Sequence, residues 1–443
     1  MGLHPNRRAK VLITDDAVVV RRLVSDVLAK VPTIDVVGTA ANGKIALQKI
    51  EQLQPDLVIL DIEMPVMDGI ETLVAIRGQY PNLPVIMFST LTERGTAVTL
   101  EALMRGANDY VTKPANVGSV TAAIELVRDE LVPRILALTG LPDANEPPPV
   151  SPERGRRLSP QVDRAMQAEL HRSRRDVISD ATTAPPAPSR RPPRDSPRAS
   201  AATNSPNPAR RGGVGPTQAA ATPREVRAAR PQGLANRVDV VTIGISTGGP
   251  NALAELLPQL PLNMPVPIVI VQHMPPMFTK LLAERLNANA AIEVVEAKSG
   301  DVLQPGKCWI APGDFHLEVG STASGSKVLT LNSGPKENSC RPAADVLFRS
   351  VAKIYGVNAL AVVMTGMGRD GMRGSQAILD AGGQVIAQDQ ASSVVWGMPG
   401  AVVEGGITTE VYSLTNLPNE IMQRVSFGRV MREAAPGDGR PGR

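Results

Sequence analysis

The sequence predicts an α/β protein with two separate parallel-sheet domains. Residues 1–138 and 237–428 both alternate short β-branched runs with stretches whose apolar residues recur three and four positions apart, as strands and amphipathic helices do. Between them lies a segment with 17 of the 40 prolines and no aromatic residue, a composition that does not pack a core. The length of 443 residues also exceeds what one hydrophobic core usually organises.

The first region, residues 1–138, predicts a doubly wound sheet of five parallel strands. Strand-like runs occur at residues 11–13, 34–37, 57–60, 85–88 and 110–111, and stretches of helical period at 19–29, 43–53 and 96–105. Alternation of strands and helices in this order is typical of a parallel sheet. The strand runs are apolar on both faces, as a sheet covered by helices on each side requires.

Residues 139–236 predict a disordered basic linker. From residue 141 the segment carries 16 Arg, no Lys and nine Asp or Glu, a net charge of 16 − 9 = +7. The whole chain has a net charge of +4, so the rest of it sums to 4 − 7 = −3 and is slightly acidic. Its proline runs exclude helix and interior strand, apart from one short helical stretch at residues 162–170. A solvated spacer is the favoured interpretation, and binding of nucleic acid or acidic partners through counterion release is the alternative. The tail, residues 429–443, is also predicted to be disordered.

The second region, residues 237–428, predicts a three-layer α/β domain with a β-rich insertion. Strands are expected at residues 238–245, 267–272, 308–310, 359–364 and 384–387, and helices at 251–257, 343–353 and 375–381. Residues 293–331 hold three or four strand-like pieces with turn residues between them and no clear helix. We therefore expect that stretch to be the insertion.

The cysteine content and the apolar runs bear on the compartment. Cys308 and Cys340 are too few and too far apart for a disulfide framework or a zinc site, which fits a reducing cytosol. No signal peptide is apparent, and the apolar runs are strand-sized, well short of the ~20 residues that span a bilayer. We expect a cytoplasmic protein without direct membrane insertion.

Polar residues follow four strands of the first region at what should be one edge of its sheet. Asp15 and Asp16 follow the first strand, Asp61 ends the third, Ser89 ends the fourth and Lys113 follows the fifth. Carboxylates gathered there repel one another unless a divalent cation or a lysine neutralises them. Oxygen ligands suit Mg²⁺, and a metal-supported carboxylate can attack a phosphoryl group. Taken alone, an acidic pair after a strand is often a helix cap.

This arrangement resembles the receiver domain of two-component response regulators, which has a flavodoxin-like fold. The motifs that carry the resemblance are Ile13-Thr14-Asp15-Asp16, Leu60-Asp61-Ile62-Glu63-Met64-Pro65 and Thr112-Lys113-Pro114. The resemblance implies that Asp61 is the phospho-acceptor and that a histidine kinase is the donor. It implies Mg²⁺ bound by Asp16, Asp61 and the Glu63 carbonyl, with Asp15 assisting. Lys113 would pair with the phosphate, and the Ser89 hydroxyl would move toward the phosphate once it is bound. The peptide between Lys113 and Pro114 would be cis.

The second region holds a candidate nucleophile, Ser246. It lies in Gly244-Ile245-Ser246-Thr247-Gly248, a G-x-S-x-G pattern between a strand and a helix. Small flanking residues let the chain turn sharply and expose the hydroxyl, and the helix N-terminus offers N–H groups to an oxyanion. The pattern alone leaves a phosphate-binding turn open as the alternative.

A serine nucleophile needs a base and an orienting acid. His273, at the end of the next strand, can face the same crevice, whereas His316 in the β-rich stretch is better explained as a structural or substrate-binding residue. Asp370, in the loop after a buried strand, is the favoured acid and Asp389 the alternative. Asp345 is predicted to lie on a helix surface. The chain order Ser, His, Asp differs from that of α/β-hydrolases.

Residues 238–427 resemble the catalytic domain of the CheB family of chemotaxis protein-glutamate methylesterases. The motifs that carry this resemblance are Gln272-His273-Met274-Pro275-Pro276, Ala311-Pro312-Gly313-Asp314 and Thr365-Gly366-Met367-Gly368-Arg369-Asp370-Gly371. The resemblance implies hydrolysis of glutamate γ-methyl esters on methyl-accepting chemoreceptors, deamidation of receptor glutamines and no cofactor in this domain. It implies a triad of Ser246, His273 and Asp370, with oxyanion donors near Thr247 and Met367.

Two other classes of function remain. A DNA-binding regulator needs a reading helix, which the sequence does not contain, so no nucleic-acid partner is expected. A hydrolase of small-molecule esters would carry the same triad, and only substrate tests distinguish it. We further expect that the unphosphorylated first domain covers the esterase crevice and that phosphorylation of Asp61 opens it.

Overall fold

The computed structural model describes residues 7–90, 92–113, 120–142 and 236–429. The predicted linker at 139–236, its short helix at 162–170 and the tail at 429–443 therefore lie almost wholly outside the described residues. The peptide bond between Lys113 and Pro114 lies outside them as well. The described residues of both predicted sheets belong to one compact unit.

The N-terminal domain is a parallel sheet of five strands with helices on both faces. In chain order its elements are β1 (Ala9–Thr14), α1 (Val18–Leu28), β2 (Ile34–Ala40), α2 (Gly43–Leu53), β3 (Leu57–Asp61), α3 (Gly69–Gln79), β4 (Val85–Ser89), α4 (Glu93–Met104), β5 (Asp109–Thr112) and α5 (Val120–Thr139). The strand order β2-β1-β3-β4-β5 confirms the predicted doubly wound topology. It also brings the carboxyl ends of β1, β3, β4 and β5 to one edge.

Side chains set where three of these helices begin. Asn42 accepts the Ile45 N–H at the start of α2, and Thr92 accepts an N–H in the first turn of α4. At the start of α3, Asp68 accepts the Glu71 N–H while the Glu71 carboxylate accepts the Asp68 N–H. This reciprocal pair satisfies two N–H groups that the helix itself cannot.

The central strand β3 shows how the sheet builds a core on each face. Its five residues are all buried. Val58 and Leu60 pack with residues of α2, α3 and α4, whereas Leu57 and Ile59 pack with residues of α1 and α5. Apolar side chains pointing both ways are what a strand covered by helices on both sides requires.

The C-terminal domain is a larger three-layer structure. In chain order its elements are β6 (Val240–Ile245), α6 (Gly249–Leu256), β7 (Ile268–Gln272), α7 (Phe278–Asn289), β8 (Glu293–Glu296), β9 (Lys307–Ile310), β10 (His316–Ser321), β11 (Lys327–Asn332), α8 (Ala344–Tyr355), β12 (Ala359–Val363), α9 (Met372–Asp380), β13 (Gln384–Gln388), α10 (Met398–Glu404), β14 (Val411–Tyr412) and α11 (Leu417–Ser426). One-turn 3₁₀ helices cover Leu257–Gln259 and Gly356–Asn358. No helix in the described ranges has the length and apolar character needed to cross a membrane.

The β-rich stretch at residues 293–331 divides into two parts. Its first two strands, β8 and β9, extend the main parallel sheet of seven strands, whose order is β14-β13-β12-β6-β7-β9-β8. Val294 and Ile310 pack in the same core as α7, which explains why these strands join that sheet. Strands β10 and β11 form a separate antiparallel pair, held against α8 through Leu317 and Leu329.

The two domains contact each other through α4 and the start of β5. Helix α4 packs against α6 and α7. The Tyr110 ring stacks on the Phe278 ring, with the centroids 4.6 Å apart and the planes 15° from parallel. The Arg285 guanidinium donates a hydrogen bond to the Ala97 carbonyl in α4 at 2.8 Å. The start of β5 is thereby placed beside the C-terminal domain.

Candidate active site and phosphorylation site

Ser246 lies directly after β6, at the carboxyl edge of the seven-stranded sheet. Its N–H donates to the Thr365 carbonyl at 3.0 Å, and its carbonyl accepts the Gly249 N–H at 2.8 Å, so the chain turns at once into α6. Gly248, in this turn, has a φ of +79°, which only glycine adopts without cost. A Cβ at Gly366 would lie 2.8 Å from the Ser246 Cβ, so a side chain there would press on the serine.

His273 and Asp370 meet beside this turn. His273 follows β7, the neighbour of β6, and its N–H donates to the Ile245 carbonyl at 3.2 Å. Its Nε2 lies 2.7 Å from Oδ2 of Asp370, and the two side chains are only 11% and 2% exposed. Because a carboxylate can only accept, we place the hydrogen of the neutral ring on Nε2. Nδ1 is then the nitrogen that can take up a proton.

The Asp370 carboxylate is held by further hydrogen-bond donors. They are the Nδ2 of Asn338 at 2.7 Å and the N–H groups of Ala344, Asp345 and Gly371 at 2.6, 3.0 and 3.0 Å. Burial by itself raises the pKa of Asp370, but the imidazole and the backbone donors outweigh burial and lower that pKa. The carboxylate therefore stays ionised beside the ring.

The other ring nitrogen of His273, Nδ1, faces Cys340 at 3.5 Å from its Sγ. Burial disfavours the charged ring, but the charges and hydrogen bonds of Cys340 and Asp370 outweigh burial and raise the pKa of His273 above its usual value. Ser246 and His273 line one cavity, yet within the described ranges the Ser246 hydroxyl makes no hydrogen bond to the ring. The structure thus brings the predicted nucleophile, base and acid to one crevice and leaves the Ser246–His273 hydrogen bond unmade.

The two residues predicted near the oxyanion also line this cavity. In the part of the chain that the structure describes, neither the Thr247 nor the Met367 N–H donates a hydrogen bond to a protein acceptor. Both N–H groups are therefore available to a ligand. The Thr247 hydroxyl, by contrast, donates to Oδ2 of Asp109 in the N-terminal domain at 2.6 Å.

Residues of both domains enclose the crevice, a cavity of about 620 Å³. The wall formed by the C-terminal domain includes Ser246, His273, Cys340 and Met367. The wall formed by the N-terminal domain includes Asp109, Tyr110, Pro133 and Arg134. Asp109, which binds Thr247, also pairs with Nε of Arg134 at 3.3 Å. The start of β5 and helix α5 thus line the same cavity as the serine.

The alternative base and acid lie elsewhere. His316 is buried; its Nδ1 accepts the Ala343 N–H at 3.2 Å and its Nε2 lies 2.8 Å from the Pro335 carbonyl. Both ring nitrogens are therefore committed to backbone groups. Asp389 accepts the hydroxyl of Ser392 at 2.6 Å. Neither His316 nor Asp389 lines the cavity that holds Ser246 and His273.

The prediction that Asp345 lies on a helix surface is wrong. Asp345 is 1% exposed, accepts the Gly374 N–H at 2.6 Å and binds Asn338 at 2.9 Å, and burial raises its pKa. Sequence reasoning also missed Asn338 and Cys340 as site residues. Both lie between β11 and α8 in a stretch without a recognisable motif, and Cys340 is 67 positions from His273.

The acidic residues of the N-terminal domain meet at the predicted sheet edge. One carboxylate oxygen from each of Asp15, Asp16 and Asp61 lies within 4.8 Å of the others. The Lys113 ammonium binds Asp15 at 2.8 Å and Asp61 at 2.7 Å. Burial raises the pKa of Asp61 to about 6, although Lys113 acts in the opposite direction. Burial disfavours the charged form of these carboxylates, and the single Lys113 ammonium does not balance three of them. A second cation bound here would therefore stabilise their ionised form.

A cavity of about 160 Å³ opens over Asp61 and is lined by Asp16, Glu63, Ser89 and Lys113 among others. The Oδ2 atom of Asp61 is buried and has no hydrogen-bond partner among the described residues. The ligands on offer are all oxygen atoms, as Mg²⁺ prefers. The residues present therefore fit a divalent cation.

Ser89 lines the same cavity, but its hydroxyl is engaged with helix α4. It accepts the Thr99 hydroxyl at 2.6 Å and lies 3.5 Å from the Gly95 carbonyl. The Thr99 hydroxyl oxygen also lies 2.6 Å from that carbonyl. The predicted switch residue is thus tied to the helix that contacts the C-terminal domain.

Comparison with known proteins matches both halves of the chain. The family described as CheB methylesterase matches residues 241–421, and the response regulator receiver domain matches residues 11–125. The protein-glutamate methylesterase/protein-glutamine glutaminase of Trichodesmium erythraeum is 43% identical over 416 residues, which cover 94% of this chain and 99% of the relative. That of a Nocardioides species is 46% identical over 420 residues, covering 95% and 96%.

Among solved structures, the Thermotoga maritima CheB methylesterase catalytic domain is 42% identical and covers 42% of this chain and 99% of its own, with a TM-score of 0.41. The identities to the full-length relatives extend over nearly the whole of both chains. The chain therefore belongs to the CheB family of protein-glutamate methylesterases/protein-glutamine glutaminases, with a receiver domain before a methylesterase domain.

Proposed function

We propose that the chain is a phosphorylation-controlled hydrolase that removes γ-methyl esters from glutamates of chemoreceptors and deamidates specific receptor glutamines. The observation that carries the proposal is the His273–Asp370 pair in the crevice that also holds Ser246. The names of the full-length relatives state both activities. A buried base with an ionised partner beside an accessible serine is what acyl transfer requires.

In the proposed reaction the Ser246 hydroxyl attacks the ester carbon, and its proton passes to Nδ1 of His273. The ester C–O bond then breaks, and the leaving methoxide takes that proton and departs as methanol. From a glutamine substrate, ammonia leaves in the same way. A water molecule, deprotonated by the same nitrogen, then cleaves the acyl-serine bond and restores the carboxylate and the hydroxyl.

The surrounding groups stabilise the charges that develop on His273 and on the substrate oxygen during these steps. Asp370 holds the hydrogen on Nε2 and stabilises the imidazolium that forms when Nδ1 is protonated. The N–H groups of Thr247 and Met367, which have no protein acceptor within the described ranges, would bind the oxyanion. These assignments make Ser246 the nucleophile, His273 the base and Asp370 the orienting acid.

We propose that contacts with the receiver keep the unphosphorylated enzyme inactive. The Ser246 hydroxyl is not bonded to His273, and receiver residues form one wall of the crevice. The Asp109 carboxylate is bonded to Thr247, whose N–H is a proposed oxyanion donor. The Asp109 charge is balanced by Arg134 at 3.3 Å, so its contact with Thr247 acts as a hydrogen bond that ties the oxyanion turn to the receiver. We infer that the receiver blocks the substrate sterically and restrains this turn.

Asp61 is the proposed phospho-acceptor. Mg²⁺ would be held by Asp16, Asp61 and the carbonyl of Glu63, with Asp15 assisting, and would neutralise charge on the phosphoryl oxygens. The Lys113 ammonium, which already binds Asp61, would pair with the new phosphate. This role uses the unpartnered Oδ2 of Asp61 and the open cavity above it.

Ser89 links the phosphate to the domain contact. Besides the Thr90 carbonyl at 3.2 Å, its partners are Gly95 and Thr99. Both lie in α4, the helix that receives the Arg285 hydrogen bond through its Ala97 carbonyl. Drawn toward a phosphate on Asp61, the serine would leave these partners and free α4 to move. A 100-fold gain in the open population needs only about 2.7 kcal/mol of differential stability.

The proposed partners follow from this mechanism. A methylated chemoreceptor is the substrate and a chemotaxis histidine kinase the phosphodonor, and the reaction belongs in the cytoplasm, where receptor signalling helices and kinase meet. The hypothesis of a small-ester hydrolase predicts the same triad but a different preference among substrates.

The decisive experiment measures methanol release by the full chain from a methylated receptor fragment and from small methyl esters, with and without acetyl phosphate and Mg²⁺. We expect release from the receptor fragment that rises on phosphorylation. Turnover of small esters alone would support the small-ester hydrolase instead. No methanol from any of these substrates would reject the esterase assignment.

A further inference from the structure

Cys340 occupies the hydrogen-bonding position that the proposed reaction requires of Ser246. The Sγ of Cys340 lies 3.5 Å from Nδ1 of His273, while Nε2 is committed to Asp370 at 2.7 Å. A neutral imidazole has one nitrogen with a free lone pair. That nitrogen cannot be fully engaged by the thiol and accept the serine proton at the same time.

The position of Cys340 is fixed by the backbone that carries it. Its N–H donates to the Glu337 carbonyl at 2.9 Å, and its carbonyl accepts the Glu337 N–H at 3.1 Å. The Glu337 carboxylate is held in turn by the Arg349 guanidinium of α8 at 2.8 and 2.6 Å. Asn338 of the same turn binds Asp370. One anchored turn therefore contacts both the acid and the base.

The environment of Cys340 differs from that of the other cysteine. Cys308 is fully buried in β9 among apolar side chains. Cys340 is partly exposed and lines the cavity that holds Ser246, so packing of the core does not explain its place. Its polar contact in the cavity is with the His273 ring.

We propose that Cys340 is a positioning residue that holds the His273 ring in the resting enzyme and must release Nδ1 to Ser246 before acyl transfer. The inference rests on the proposed esterase function. It adds to that function a competition within the site: each turnover requires the ring to exchange a sulfur partner for an oxygen partner. Removing the sulfur should therefore favour the reactive pair.

The pH dependence should report this contact. The titratable groups that bear on the His273 ring are Cys340 and Asp370, and both act to raise the pKa of His273. The reaction uses the neutral ring, so activity is lost as pH falls through the pKa of His273. Without the thiol that pKa falls, and the acid limb of the activity profile moves to lower pH.

The test compares Cys340→Ala and Cys340→Ser in the full chain. Cys308→Ala is the control, because it removes the other thiol, which lies away from His273. Methanol release from a methylated receptor fragment gives kcat and KM across pH. We expect Cys340→Ala to raise kcat about three- to tenfold, the scale of one neutral hydrogen bond, with KM unchanged and the acid limb at lower pH. Cys340→Ser restores a hydroxyl partner and should return kcat toward the parent value. Cys308→Ala should keep the parent pH profile.

A nitrogen NMR titration of the His273 ring supplies a readout that does not need turnover. We expect a lower pKa of His273 in Cys340→Ala than in the parent chain. An unchanged pKa of His273 in Cys340→Ala would overturn the proposed contact, whether or not the chain is an esterase. A lower pKa in this variant, together with an inactive parent chain, would reject only the esterase assignment. If kcat and its pH profile in Cys340→Ala match the parent, the competition does not exist. Activity lost in Cys340→Ala but kept in Ser246→Ala would make the thiol the nucleophile and overturn both proposals.

Discussion

The hydrogen bond between Thr247 and Asp109 offers a direct test of how the receiver restrains the esterase. The Thr247 hydroxyl donates to Oδ2 of Asp109 at 2.6 Å, across the domain boundary and next to the proposed nucleophile. Asp109 is 7% exposed, so water does not replace the contact easily. Asp109→Ala removes the acceptor and leaves Arg134 paired with Glu130 at 2.7 Å.

The size of the effect follows from the kind of contact. A hydrogen bond to a charged group contributes roughly 1.5–3 kcal/mol. If the bond exists only in the closed arrangement, its loss shifts the closed-to-open ratio by about 10- to 150-fold. Asp109→Asn keeps a neutral acceptor of the same size, so its effect should be smaller and lie between those of the parent and the alanine variant.

The assay is methanol release by the unphosphorylated full chain. We expect a basal rate at least tenfold higher in Asp109→Ala, with correspondingly less stimulation by acetyl phosphate. Glu101→Gln is the matched control, because it removes an equal charge from α4, where Glu101 pairs with Arg105 on the surface. An unchanged basal rate in a folded Asp109→Ala chain would refute the reasoning, as would an equal rise in the control.

Further predictions concern four substitutions, two in the triad, one at Asn338 and one at the phosphorylation site. Ser246→Ala should lower kcat by roughly 10⁴–10⁶, and Asp370→Asn by about 10⁴ or less, because the oxyanion donors and substrate binding remain. Asn338→Ala should lower kcat about tenfold with little change in KM, since Asp370 loses a 2.7 Å hydrogen bond that holds its charge beside the ring. Asp61→Asn should abolish the stimulation of methanol release by acetyl phosphate and Mg²⁺, because it removes the acceptor oxygen.

Each of these has a contrary outcome. Substantial activity in Ser246→Ala would end the assignment of the nucleophile. An increase in KM without a change in kcat for Asn338→Ala would place that residue in substrate binding. Persistent stimulation in Asp61→Asn, measured together with phosphate incorporation, would mean that another residue accepts the phosphate.

Local patterns in the sequence predict the fold and the residues at strand ends. In a parallel sheet the carboxyl end of each strand reaches the same edge. Ser246, His273 and Asp370 follow such strands, so their proximity could be inferred from chain order and apolar runs alone. The same reasoning placed Asp15, Asp61 and their neighbours at one edge of the first sheet.

Contacts made by irregular segments could not be inferred in this way. Cys340 reaches His273 because a turn after the β10–β11 pair folds back over the sheet edge, and no periodicity encodes that path. The sequence alone favours a surface position for Asp345, because charged residues in helices usually are exposed. It is buried because the N–H of Gly374, from the neighbouring helix α9, approaches its carboxylate at 2.6 Å.

The hydrogen bonds at Asp370 have a consequence for how the domain tolerates change. Helix α8 begins after Ala343, which has no side chain able to bind the first free N–H groups, and the Asp370 carboxylate binds two of them instead. The proposed catalytic acid therefore also caps helix α8, whose residue Asp345 lies 25 positions earlier in sequence. Replacing it should lower the melting temperature as well as the rate, so selection for folding alone would preserve this carboxylate even in a descendant that had lost its substrate.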